Sequence, residues 1–201
     1  GELLGRKEME HGSEIFIISD EPYRRIIYDG LSYPQVFPHH PGTIVVNSHA
    51  KDLALPGERI GYMAVNPDYR DKAELADGLT FCNRMLGFVN APALMQHVVR
   101  ALQGVSVDPL EYQRKRDFLY TRLTEMGYSM LRPQGAFYLF PESPGDDDVE
   151  FVDALQKWNV LAVPGRGFGT PGYFRISYCV EDRVLEGSME GFAQVAKEFG
   201  L

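Results

Sequence analysis

The amino-acid sequence predicts an α/β layer followed by a smaller α+β domain, and two observations carry this. Short apolar runs without polar alternation occur at 15–18, 43–46 and 60–65, each bounded by polar, Pro or Gly residues. Such runs read as strands covered on both faces, as in an α/β layer. Beyond them the chain mixes strand-like stretches at 135–140 and 173–178 with helical stripes, the pattern of an α+β unit.

Between the two halves, the spacing predicts a helix over 91–103, with Leu94, Val98 and Ala101 on one stripe and Gly104 as its stop. The domain boundary falls there, giving 1–104 and 105–201. Asp108, Pro109 and Glu111 supply an N-cap, a first-turn proline and a capping-box acid. The helix they open carries Leu119, Leu123 and Met126 on one face and ends at Gly127. Asp146, Asp147 and Asp148 suit the start of another helix, where the dipole favours negative charge. In that helix Phe151, Leu155 and Trp158 form the stripe. In the last helix, Leu185, Met189, Phe192, Ala196 and Phe199 recur at spacings of four, three, four and three, a core-facing stripe.

A chain of 201 residues, 44% hydrophobic and 24% charged, is globular rather than disordered or fibrous. Its net charge of −8 repels nucleic acid and anionic membrane. The basic cluster Arg114, Lys115 and Arg116 reads as a solvated helix face. No apolar run approaches the roughly 20 residues of a membrane helix. Cys82 and Cys179 lack metal-ligand spacing and are too few for a disulfide framework, so they read as buried apolar residues of a soluble, cytoplasmic protein. His39, His40 and His49 have no partner at ligand spacing, and no metal is expected.

The stretch richest in chemistry is Asn47-Ser-His-Ala-Lys-Asp-Leu-Ala-Leu-Pro-Gly-Glu-Arg-Ile-Gly-Tyr62, preceded by Ser19-Asp-Glu-Pro-Tyr23 at the end of the first strand. Taken singly, Lys51 reads as a surface lysine, Asp20 and Tyr23 as a strand-end cap and turn, and Arg59 and Arg175 as ion-pair partners. Taken together, they offer a different chemistry. Ligands collect at the carboxyl ends of strands in open α/β sheets. A lysine there can be desolvated, which frees an amine to attack carbonyl carbon. Ser48 and Arg59 suit a phosphate, the arginine through a bidentate fork. An acid, a phenol, an amine and a phosphate clamp describe pyridoxal phosphate.

The motifs Ser19-Asp20-Glu21-Pro22-Tyr23, Ser48-x-x-Lys51-x-x-x-x-Pro56-Gly57-x-Arg59-x-Gly61-Tyr62, Val163-Pro-Gly165 and Phe174-Arg175-Ile-Ser177 stand in one order. In that order the sequence resembles the class I/II aminotransferases of PLP fold type I, in their aspartate aminotransferase-like branch. The resemblance implies part of a PLP-transferase large domain, three strands plus helices, ahead of a small C-terminal domain. It implies that Lys51 holds the cofactor and shuttles a proton at the substrate Cα, and that Asp20 pairs with the pyridine nitrogen. Tyr23 would bond the ring 3′-oxygen, Ser48 and Arg59 the phosphate, and Arg175 the substrate α-carboxylate. The reaction so implied moves an amino group between an amino acid and a 2-oxo acid, in a homodimer that binds neither nucleic acid nor membrane.

One residue departs from the family pattern. Where the family often has a second serine directly before the lysine, this chain has Ala50. The resemblance covers what is in the family the C-terminal half. The small-residue loop under the phosphate, the aromatic stacked on the ring and an Asn near the 3′-oxygen belong to the other half, so little activity is expected of this chain alone, together with an unpaired sheet edge and bare apolar faces. Two other readings share the motifs. One is a different fold type I reaction, such as a C–S lyase, a decarboxylase or an aminocyclopropane carboxylate synthase. The other is the non-catalytic sensor half of a PLP-responsive regulator.

Overall fold

The computed structural model of the chain describes residues 1–145 and 147–201; Asp146, first of the three aspartates above, lies outside them. In order, the elements are α1 (Glu2–His11), β1 (Ile17–Asp20), β2 (Thr43–Ser48), α2 (His49–Asp52), β3 (Gly61–Val65), α3 (Lys72–Met85), α4 (Ala93–Ala101), α5 (Pro109–Glu125), β4 (Tyr138–Leu139), α6 (Asp148–Lys157), β5 (Val163–Pro164), β6 (Phe174–Ser177) and α7 (Asp182–Glu198). They fall into two compact units. The first comprises Gly1–Arg25 and Ser32–Val107, the second Ile26–Leu31 and Asp108–Leu201.

The first unit holds a three-stranded sheet ordered β1-β2-β3. β1 runs parallel to β2, with Asp20 opposite Val46, and β3 runs antiparallel to it, with Gly61 opposite Ser48. Only the central strand is covered as the apolar runs predict. Ile44 and Val45 are buried, whereas Ile18 on β1 is 69% exposed and Met63 on β3 is 46% exposed. Both outer strands have an edge that no described strand pairs. α3 buries none of its residues, and Phe81, Met85, Leu86 and Phe88 at and beyond its end are all exposed. Cys82 lies on this helix and is therefore exposed, contrary to its expected burial; Cys179 is exposed too. α4 is shorter than the predicted helix. It buries Val99, and its expected stripe residue Leu94 points to solvent.

The second unit holds an antiparallel sheet ordered β4-β6-β5, in which Tyr138 faces Ser177 and Val163 faces Arg175. The strand expected over 135–140 keeps only two residues in the ladder, because Ala136 adopts a left-handed φ of 60°. Asp108 caps α5 as its sequence predicts, accepting from Leu110 N at 2.9 Å. Glu111 pairs with Arg114 instead of closing a capping box. Leu119 and Leu123 of α5 and Leu185, Phe192, Val195 and Ala196 of α7 enter the core, where Tyr128 meets Phe151, Phe174 and Phe192 edge-on. Trp158 ends α6 as its C-cap and stays half-exposed.

Arg116 overturns the solvated-face reading of the basic cluster. Its side chain is fully buried and forks onto Asp29, with Nη1 and Nη2 at 2.7 and 2.8 Å from the two carboxylate oxygens. Nη1 also reaches Pro133 O at 2.7 Å, and the guanidinium lies over the Tyr28 ring at 4.8 Å. The hydrogen bonds that Arg116 donates to Asp29, foremost, and to Asp117 raise its pKa above the ordinary value; the Arg116 bond likewise lowers that of Asp29. Tyr28 adds hydrogen bonds to Ala136 O and Tyr178 Oη. The clamp thus holds Ile26–Leu31 within the second unit. Its close fit is visible at Gly135, which bridges to Ile27 and where a Cβ would lie 2.7 Å from Ile26 O.

At the start of α6, Asp147 caps the helix by accepting from Val149 N, and Asp148 is buried against Arg166. The Arg166 hydrogen bonds hold the Asp148 carboxyl at about 2, below its ordinary 3.8.

Two predictions follow from these ion pairs. Asp29→Ala leaves a buried guanidinium short of its main partner and is expected to lower the urea midpoint of unfolding, with Asp29→Asn lowering it less. A folded-state pKa below the unfolded one stabilises above the unfolded value and loses that stabilisation as pH falls through the folded one. The stability gap between wild type and Asp148→Asn should therefore be full at neutral pH and shrink between pH 3.8 and about 2, as followed by thermal unfolding across that range.

Candidate active site

The parallel pairing of β1 with β2 sets their carboxyl ends side by side. Glu21 N continues the ladder onto Val46 O at 2.8 Å, so the Asp-Glu-Pro-Tyr turn leaves the sheet next to the Asn47–Ser48 end of β2. Register puts Asp20, Val46 and Ser48 on one face of the sheet. Asp20 itself is exposed there.

Ser48 begins the single turn of α2 as its N-cap, its Oγ accepting from Ala50 N at 3.2 Å. That turn carries Lys51, whose Nζ lies 5.9 Å from the centre of the Tyr23 ring. The chain then folds back through the 3-10 turn Pro56–Glu58, and His49 N bonds Ile60 O at 3.1 Å to close the loop. Arg59 takes a left-handed φ of 50° in this return, and its Nη1 donates to Pro56 O at 2.9 Å. The next strand must approach β2 closely at Gly61, where a Cβ would lie 2.3 Å from Asn47 O.

Five of the six residues singled out by sequence therefore stand at one end of one sheet. Lys51 and Tyr23 face each other, Asp20 and Ser48 share a sheet face, and Arg59 is on the returning loop. Arg175 belongs to the second unit, on β6.

Other polar residues support this end without having been signalled by motif. Buried Asn47 accepts from Ser48 N at 2.6 Å and donates to Tyr62 Oη at 3.2 Å, bracing the turn into α2. His49 and Asp52, also buried, lie 3.3 Å apart within that turn, and Arg25 approaches Asp52 at 4.0 Å. Buried Glu21 accepts from Ser19 Oγ at 2.9 Å. The i, i+3 spacing of His49 and Asp52 was visible in the sequence; their burial was not.

An amine, a phenol and a carboxylate thus stand at the carboxyl ends of parallel strands, the place where ligands bind in open α/β sheets. Comparison with known proteins narrows this. Residues 8–190 match the family described as aminotransferase class I and II. The aspartate/prephenate aminotransferase of Thermus thermophilus is 35% identical over 96% of this chain and 51% of its own length. The aromatic-amino-acid aminotransferase 2 of Thermococcus litoralis is 32% identical over 98% of this chain and 54% of its own length. A crystal structure of an amino transferase from Eubacterium rectale superposes with a TM-score of 0.94 at 43% identity, covering all of this chain and 50% of that one.

The chain belongs to the class I and II aminotransferase family. It spans about half the length of the curated relatives it matches. No helix among the described residues is long and apolar enough to cross a membrane.

The closeness of β2 and β3 makes a testable difference between two glycines of the loop. Gly61→Ala drives a methyl into backbone and should cost about 2–3 kcal/mol in urea unfolding. Gly57→Ala, with open space around it, should stay within about 0.5 kcal/mol of wild type.

Proposed function

We propose that this chain forms the lysine-bearing part of a PLP-dependent aminotransferase, which moves an amino group between an amino acid and a 2-oxo acid. The observation that carries the reading is the meeting of Lys51 and Tyr23 at the sheet end that also bears Asp20 and Ser48. The donor set suits pyridoxal phosphate: an amine for its aldehyde, a carboxylate for its ring nitrogen, a phenol for its 3′-oxygen, and a hydroxyl and a guanidinium for its phosphate. Ser48 Oγ accepts one backbone hydrogen bond and keeps its own proton to donate. Ala50 offers no second hydroxyl.

When bound, the cofactor supplies an electrophilic aldehyde and a ring that draws electrons from the substrate Cα. The chain's residues do the rest. Lys51 would hold the cofactor through its amine and would take and return the proton at the substrate Cα. Asp20 would hold the ring nitrogen of the bound group through its carboxylate and keep it protonated. Arg175 would take the substrate α-carboxylate in a bidentate fork and so orient the substrate. The same reading makes the enzyme a cytoplasmic homodimer; the exposed apolar residues at the end of α3 support burial against further protein surface.

Borohydride reduction of the full-length enzyme in the presence of pyridoxal phosphate, followed by peptide mapping, tests this. A pyridoxyl group on Lys51, absent from Lys51→Ala, is expected; an adduct on another lysine, with Lys51 unmodified, would remove the mechanism.

A further inference from the structure

Arg175 is held in an unusual way for an arginine of its unit. From Arg114 to Arg183, the other arginines there each have a carboxylate at ion-pair distance. Among the described residues Arg175 has none. Instead its guanidinium carbon lies 4.6 Å from the centre of the Tyr138 ring and 4.1 Å from that of Phe168.

The two rings reach it from opposite flanks of the central strand. Tyr138 is on β4, opposite Ser177, so it shares a sheet face with Arg175 two residues away. Phe168 closes the 3-10 turn that follows β5, whose Val163 is opposite Arg175. Phe168 is backed edge-on by Phe140 at 6.2 Å, which in turn stacks on Tyr173 with 5° between the planes.

A guanidinium whose face is covered by rings keeps its N–H donors at the edge of the plane, where a carboxylate binds bidentately. Ring contact also removes water from the cation without neutralising it, so the full charge remains for an incoming anion. A carboxylate neighbour would do the opposite and compete with the ligand.

We propose that Tyr138 and Phe168 are positioning residues, which fix the plane of Arg175 so that its N–H edge receives a substrate carboxylate. The inference rests on the reading of Arg175 given above. It adds that the binding strength of this arginine depends on two aromatic side chains that carry no charge.

The test uses the 201-residue protein labelled with ¹⁵N-arginine, with pyruvate as probe and pyruvamide as its uncharged control. The Arg175 Nε–Hε proton is expected upfield through ring currents, and to respond to pyruvate and not to pyruvamide. In Phe168→Leu and Tyr138→Leu the upfield displacement should shrink and pyruvate affinity fall about tenfold. Tyr138→Phe and Phe168→Tyr, which keep the rings, should restore both. Phe168 is 45% exposed, so its replacement does not open the core, and near-ultraviolet circular dichroism verifies the fold of each variant. Leucine variants that bind pyruvate as tightly as wild type would overturn the positioning role while leaving Arg175 as the carboxylate site. Absence of any pyruvate response at Arg175 in the wild-type protein would overturn the carboxylate reading, and the inference with it.

Discussion

The register between Ile17–Asp20 and Thr43–Ser48 is the constraint on which the chemistry of this chain depends. With Asp20 level with Val46, the turn carrying Tyr23 and the turn carrying Lys51 leave the sheet together. A slip of one residue would send Asp20 to the opposite face, because side chains alternate along a strand. The antiparallel return of Gly61–Val65 completes the arrangement by bringing Arg59 back to the same end. Parallel pairing needs a long connection between its strands, and here residues 21–42 supply it. Distant segments of sequence thus meet through the backbone hydrogen bonds of one ladder.

Much of this was legible in the sequence, and the exceptions share a cause. Strands were readable from runs such as 43–46, and the helices Pro109–Glu125 and Asp182–Glu198 from stripes combined with a cap or a regular spacing. Coverage of a strand was not readable, because it is a property of neighbours: Ile18 and Met63 are as apolar as Val45, yet only Val45 is buried. Arg116 was misread for the same reason. A charge can be buried only where a partner waits, and Asp29 lies far back along the chain. At the site, the lysine-to-Pro-Gly-to-Arg spacing marked the loop. Asn47, His49 and Asp52 carried no comparable mark, since a short polar residue looks the same in sequence whether it braces a turn or faces water. Tyr138 and Phe168 were hidden differently, as aromatics in and beside strands that read as ordinary core.

Two arginines of the second unit show how environment divides one side-chain chemistry. Arg116 is forked by Asp29, bonded to Pro133 O and sealed from solvent, so its charge is satisfied internally and it serves structure. Arg175 also meets aromatic rings, but its charge is left open among the described residues. Stacking is common to both; the carboxylate makes the difference. Counting arginines, or noting that they touch aromatics, would not separate the paired one from the one left without a carboxylate.

The passage of Ile26–Leu31 through the second unit has a topological result. The polypeptide enters that unit, leaves it, and returns at Asp108, so the two bodies are laced rather than strung in series. A protease cut between Val107 and Asp108 would sever the backbone while the downstream fragment still gripped a six-residue tongue of the upstream one. Neither fragment would be a whole body alone: the downstream piece would lack Asp29, onto which Arg116 forks, and keep only Asp117 beside that guanidinium, and the upstream piece would carry Asp29 with nothing to grip. Nicked molecules should stay paired until denatured, and the separated pieces should find each other again on mixing.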